Sequence, residues 1–156
     1  QKGGRMAIVL PDGDLNNLTT DYVRAYMKDR IQYAGIISLP RHTFLPFGAN
    51  EKTSIVLLIK PKDKVRTRYP IFFYNMEKIG YDGQGKIEYK KNDEGEVLDC
   101  KGKLIPYQMY KGGINKGKKN KQDPDLIEKY GCLDTDFDDI LDTWDKFRKK
   151  HSGYLW

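Results

Sequence analysis

The sequence predicts a basic α/β domain. Three observations carry that expectation. Short, continuous apolar runs stop abruptly at proline, as strands buried in a sheet do. Between the first two runs lies an apolar stripe at helical spacing. The positive charge is concentrated in the middle third: residues 1–59 carry a net +2, residues 60–121 a net +8 and residues 122–156 a net −4.

Arg5–Leu10 is the first apolar run, ended by Pro11-Asp12-Gly13. It reads as a fully buried strand. Leu18, Tyr22, Val23, Tyr26 and Met27 then recur at helical spacing, so residues 18–30 read as an amphipathic helix, with Asn16, Asn17 and Thr19 available as caps. Ala34–Leu39, stopped by Pro40, is a second buried strand. Residues 5–39 therefore form strand–helix–strand, about the shortest parallel crossover. A loop with Phe44, Pro46, Phe47 and Gly48 leads to a third strand, Thr53–Ile59. That loop is too short for another crossover, so the third strand should run antiparallel to the second. Tyr69–Tyr74 is a fourth strand, with Pro70 at its start, where a ladder donor can be spared.

From Gly80 the texture changes. Asp82-Gly83, Gly85, Glu94-Gly95 and Lys101-Gly102 are turn signals at hairpin spacing, so 80–106 reads as a solvated β-meander with no internal repeat. Lys111–Lys121 is a basic low-complexity loop. Phe137, Ile140, Leu141, Trp144 and Phe147 form one helical face, with Asp134 to Asp136 as caps, Asp138 and Asp139 in the first turn and Lys146 to Lys150 at the end. The expected organisation is 1–79, 80–121 and 122–156.

Several chemistries are excluded. The longest apolar stretch, Ser54–Ile59, is far below the roughly 20 residues that span a bilayer. Cys100 and Cys132 lie 32 positions apart with no companion ligands, so both read as free thiols in a reducing, cytoplasmic setting, with a single disulfide between them as the lesser alternative. His42 and His151 have no metal or triad partners in the pattern, and no metal site is expected. Gly112-x-x-x-x-Gly117-Lys118 falls short of a phosphate loop, because Lys119 stands where magnesium needs a hydroxyl. Asp134–Asp138 lacks the glycine a calcium loop requires at its sixth position, where Asp139 stands.

Lys60, Lys62, Lys64, Arg66 and Arg68 alternate, and in an extended segment they would project from one side. Such a row can track phosphates, as can Lys116, Lys118 and Lys119. The same row could equally guard an exposed sheet edge.

Ordered blocks say more. Gly3–Gly13 followed by Leu15-Asn16-Asn17 resembles a segment of the modification subunit of type I restriction systems, the adenine-N6 DNA methyltransferases. So do Ile37-Ser38-Leu39-Pro40, Thr43-Phe44, Pro46-Phe47-Gly48 and Lys52–Ile55. Glu77–Asp82, Gly85 and Asp136–Leu141 resemble the same family's continuation. The resemblance implies the C-terminal half of a Rossmann-like, S-adenosylmethionine-dependent methyltransferase sheet. That half has parallel strands and an antiparallel last strand, here with a β-hairpin and helix extension. The family's glycine-rich cofactor loop and Asn-Pro-Pro motif are not in this sequence, and the first residue is Gln1. The chain is therefore expected to be part of a longer protein, to hold no catalytic residue and to be inactive alone.

What this half can hold is part of the target-base site. An enzyme that methylates a base in duplex DNA must extrude and support it. The resemblance points to an aromatic from the loop before the last strand, which is Phe44 or Phe47. Pro11 and Asp12 end a strand and could border the cleft. The partners implied are double-stranded DNA and the specificity and restriction subunits of a type I system, with no membrane. Self-association through an exposed edge of the Arg5–Leu10 strand is also expected. Two other readings compete: a non-catalytic basic nucleic-acid-binding module, and a structural segment that docks on a partner subunit.

Overall fold

The computed structural model describes residues 2–107 and 121–155; the Lys116, Lys118 and Lys119 cluster and the Gly112–Lys118 stretch lie outside the described residues. The chain divides into two compact units. One comprises 1–79, 83–85 and 135–156; the other comprises 80–82 and 86–134. The last long helix groups with the N-terminal sheet in the first unit.

The first unit is built on four strands: β1 (Arg5–Pro11), β2 (Gln32–Ser38), β3 (Thr53–Ile59) and β4 (Phe72–Asn75). Their order is β1-β3-β2-β4. β3 runs antiparallel to both β1 and β2, so those two are parallel to each other, and β4 is parallel to β2. The crossover and the antiparallel third strand are as expected from loop lengths. That β3 inserts between the two parallel strands is an arrangement loop length does not specify. Residues 60–71 make no strand, and the fourth strand begins two residues after Pro70.

β1 is not the buried strand its composition suggests. Among the described residues it has one strand neighbour, and Met6 and Val9 are about half exposed. A continuous apolar run shows that both faces of a strand are apolar; it does not say what covers them. The first helical segment also differs. It is a short helix, α1 (Asp12–Asn16), then a 3-10 turn over Leu18–Thr20, then α2 (Asp21–Lys28). Leu18, Tyr22 and Tyr26 of the expected core stripe are 90%, 74% and 63% exposed. The polar side explains this. The Arg24 guanidinium donates to Asp14 O, Asn17 O, Thr20 Oγ1 and Asp21 Oδ1 at 2.7–3.2 Å, pinning that face to the preceding turns.

The core lies where α4 (Phe137–Lys150) meets the β2–β4 side of the sheet. Ile37, Leu39, Phe72, Met76 and Ile140 are buried together, with Phe44, Trp144 and Phe147 packed against them. Phe72 meets Trp144 edge-on at 5.2 Å between ring centroids. Gly35 makes room: a Cβ there would stand 3.3 Å from both Phe72 and Trp144. Phe137 and Leu141, expected in the same stripe, remain largely exposed. Asp136 precedes α4, but its carboxylate does not cap the helix. It accepts from Glu77 N and Lys78 N at 2.7 and 2.9 Å, fixing the chain after β4.

One device is used three times along residues 80–106. Asp82, Asn92 and Asp99 each begin a tight turn. In each, a side-chain oxygen accepts the N–H four residues on, at Lys86, Glu96 and Lys103. Glycine with φ between 75° and 82° closes each turn, at Gly85, Gly95 and Gly102. The meander thus contains a repeat, Asx-x-x-Gly-x, that apolar periodicity does not reveal. Gln122 clamps two of its pieces: Nε2 donates to Val97 O and Ile105 O, and Oε1 accepts from Val97 N. Among the described residues of the second unit, the helix is α3 (Pro124–Tyr130), capped by Asp123.

The expectation of two free thiols is overturned: Cys100 and Cys132 are joined in a disulfide. The Asp99–Gly131 bridge sets the adjoining Cα atoms 4.6 Å apart, within the range that a disulfide needs. Sequence spacing does not show such proximity.

Candidate functional site

One end of the sheet gathers the residues singled out for base contact. The carboxyl ends of β1 and β2 and the start of β3 converge there. Pro11 pairs with Thr53, and Leu10 with Ser54. Asp12 follows β1 directly; its N–H donates to Lys52 O at 2.8 Å, and its Oδ1 accepts from Ser54 Oγ at 2.7 Å. Lys52 Nζ in turn donates to Leu39 O. Thr53 is buried, and its hydroxyl has no hydrogen-bond partner among the described residues. Sequence reasoning missed Lys52, Thr53 and Ser54 as parts of this end, although the strand pairing that brings them there follows from the short loop.

The loop over this end separates its two phenylalanines. Thr43 is buried, and its hydroxyl donates to Pro40 O at 2.7 Å, starting the turn. Phe44 packs against the buried cluster. Phe47 ends a 3-10 turn, Leu45–Phe47, and is 76% exposed. Gly48 follows at φ 87°, a conformation that reverses the chain there. The loop is braced from below. A Cβ on Gly83 would stand 3.3 Å from Leu45, and one on Gly85 3.2 Å from Pro46.

The basic row lies elsewhere. Lys60, Lys62, Lys64, Arg66 and Arg68 are all exposed, but they follow β3 and so occupy the other end of the sheet. Seven residues of strand separate the two ends, about 20 Å at 3.3 Å per residue. Bends at 62–63 and 67–68 break the expected extended alternation. In its place the segment wraps two clefts. One, of about 320 Å³, is lined by Arg5, Gln32, Lys60, Lys62, Arg66 and Tyr154, among others. The other, of about 680 Å³, adds Lys2, Lys28, Arg30 and Tyr69. Lys2, Arg5, Lys28, Arg30 and Gln32 were not singled out from sequence, because they come from separate elements. Among the described residues, no cluster of histidine, cysteine and carboxylate side chains could hold a metal ion, and no helix is long and apolar enough to cross a membrane.

The turn after β1 does not make a site for S-adenosylmethionine. Its glycine is Gly13, where a Cβ would already stand 3.0 Å from the Asn17 amide, and the Asp12 carboxylate is engaged by Ser54.

The family model described as N-6 DNA Methylase matches residues 1–102. None of the curated proteins matches. A solved chain, from work on complex assembly and conformational transition of the type I R-M system, is similar at 20% identity with a TM-score of 0.43. The alignment covers 56% of this chain and 18% of that one, so this chain spans under a fifth of its length.

Proposed function

From the chain's membership of the N-6 DNA methylase family, we propose that it is the C-terminal half of the Rossmann-like catalytic domain of an adenine-specific DNA methyltransferase. Within that family the ordered blocks from Gly3 to Leu141 favour the modification subunit of a type I restriction system. The complete protein would pass the methyl group of S-adenosylmethionine to adenine N6. Cofactor and catalytic motif would be supplied by other parts of it, and specificity and restriction subunits would be its partners. No reaction step is assigned to a residue of this chain.

The exposure of Phe47 is the observation that supports this half's role. Its ring stands in solvent on a braced turn, at the carboxyl end of β1 and β2, where open α/β sheets place ligands. An extruded adenine loses its stacking partners, and an aromatic face replaces about 1–3 kcal/mol of that loss. Phe44 supports the loop from within. Pro11 and Asp12 form the rim beside it.

Two measurements test the reading. The isolated chain should transfer no methyl group from S-adenosylmethionine to adenine in duplex DNA. In the complete subunit, Phe47→Ala should weaken target binding by about 1–3 kcal/mol, and Phe47→Trp should restore it. Methyl transfer by the isolated chain, or target binding unchanged in Phe47→Ala, overturns it.

A further inference from the structure

We propose that the cleft at the amino end of β2 is a binding pocket for a phosphate group. The inference stands apart from the methyltransferase reading and concerns the opposite end of the sheet.

A buried amide carries it. Gln32 is 95% buried, yet its Nε2 has no hydrogen-bond partner among the described residues. An unsatisfied buried donor is uncommon in a folded protein and calls for an acceptor. Gln32 lines the smaller cleft. Gln32 and Arg5 both pair with Ile59, one from each side of β3. Residues directly opposite across a sheet project from the same face. The Arg5 guanidinium and the Gln32 amide therefore share one face, flanking Ile59.

The rest of the wall suits an anion. Lys60, Lys62, Lys64 and Arg66 line the cleft from the segment after β3, and Asp63 is its acidic member. Tyr154, from α5 (Ser152–Leu155), adds an aromatic edge, and the Arg66 guanidinium lies 5.2 Å from the centre of its ring. Five cations and a neutral donor thus face one carboxylate. Phosphate offers several acceptor oxygens to such a set, and arginine matches its geometry with paired N–H groups. Gln32 gives the pocket a neutral donor that a run of surface lysines lacks. The neighbouring cleft, with Lys2, Lys28 and Arg30, continues the positive surface away from it.

Such a phosphate comes either from a nucleic-acid backbone or from a free phosphate compound, and one titration distinguishes them. The side-chain amide resonance of Gln32 is followed in the whole chain as inorganic pyrophosphate is added. We expect it to move and saturate. Lys60→Gln combined with Arg66→Gln, both on the surface, should weaken that binding tenfold or more. Gln32→Glu should abolish it, since a carboxylate repels the anion. A short DNA duplex is then added to the pyrophosphate-bound protein. Displacement from Gln32 identifies the backbone as the source; pyrophosphate left in place identifies a free phosphate compound. A Gln32 resonance unmoved by both ligands overturns the proposal, as does undiminished binding in the Lys60/Arg66 double variant. Neither result bears on methyl transfer or on Phe47.

Discussion

Ser54 Oγ donates a 2.7 Å hydrogen bond to Asp12 Oδ1, tying the first residue after β1 to the start of β3 across 42 positions of sequence. The contact fixes the rim of that end of the sheet, which the Phe47 turn also flanks. Removing the hydroxyl leaves a partly buried carboxylate short of a donor. Ser54→Ala should therefore cost about 1.5 kcal/mol, the size of a hydrogen bond to a charged group. Asp12→Asn keeps an acceptor oxygen and should cost less than Asp12→Ala. Urea unfolding with an unchanged m-value measures both. A neutral Ser54→Ala, or equal costs for the two Asp12 variants, would show that the contact does not hold the rim.

Alkaline titration should single out one tyrosine. Tyr74 on β4 donates to Asp139 Oδ2 on α4 at 2.5 Å. That hydrogen bond, with smaller contributions from desolvation and nearby carboxylates, raises its pKa to about 12. The folded value lies above the unfolded one, so the stabilisation is complete below pH 10. It is lost as the pH rises through about 12. Absorbance of tyrosinate, compared with Tyr74→Phe, reads the ionisation of Tyr74. Asp139→Asn should lower its midpoint towards 10 while the protein stays folded. A Tyr74 midpoint that ignores Asp139→Asn would contradict the assignment.

The outer edge of β1 makes a prediction about association. Among the described residues β1 pairs with β3 alone, and Met6 and Val9 are 51% and 46% exposed on it. Exposed apolar edges recruit further strands. Sedimentation of the chain should show concentration-dependent self-association, and Val9→Lys should suppress it. A chain that stays monomeric at high concentration, or a Val9→Lys variant that associates as before, would remove this edge from the account.

How far the residues foretold these features depends on range. The strand–helix–strand crossover and the antiparallel third strand are legible because loop length limits connectivity. The helix over 137–150 is legible because Ile140, Trp144 and Phe147 of its stripe pack as their spacing suggests, while Phe137 and Leu141 stay exposed. Failures occur where a contact links distant segments. The apolar stripe from Leu18 to Tyr26 faces outward because Arg24 holds the opposite side. Asp136 and Asp139 have helix-terminal character, yet they serve Glu77, Lys78 and Tyr74 instead. Cys100 and Cys132 meet only because the hairpin beginning at Asp99 pairs with Gly131. The exposure of Phe47 and the burial of Phe44 are equally invisible to composition, since the residues differ in surroundings and not in type. Gln32 carried no signal in sequence; its significance is that its buried Nε2 has no hydrogen-bond partner among the described residues.

The position of the two groups at opposite ends of β3 makes the sheet a ruler. A strand cannot lengthen without losing its pairing on both sides, so its seven residues hold the ends at a set spacing. About 20 Å is the rise of about six base pairs of duplex at 3.4 Å each. On DNA laid along the strand direction, an interaction at the Gln32 cleft would fall about half a helical turn from a nucleotide held at Phe47. The strand sets the spacing of the two ends of the sheet, and the loops that carry Phe47 and the lysines add their own reach to it.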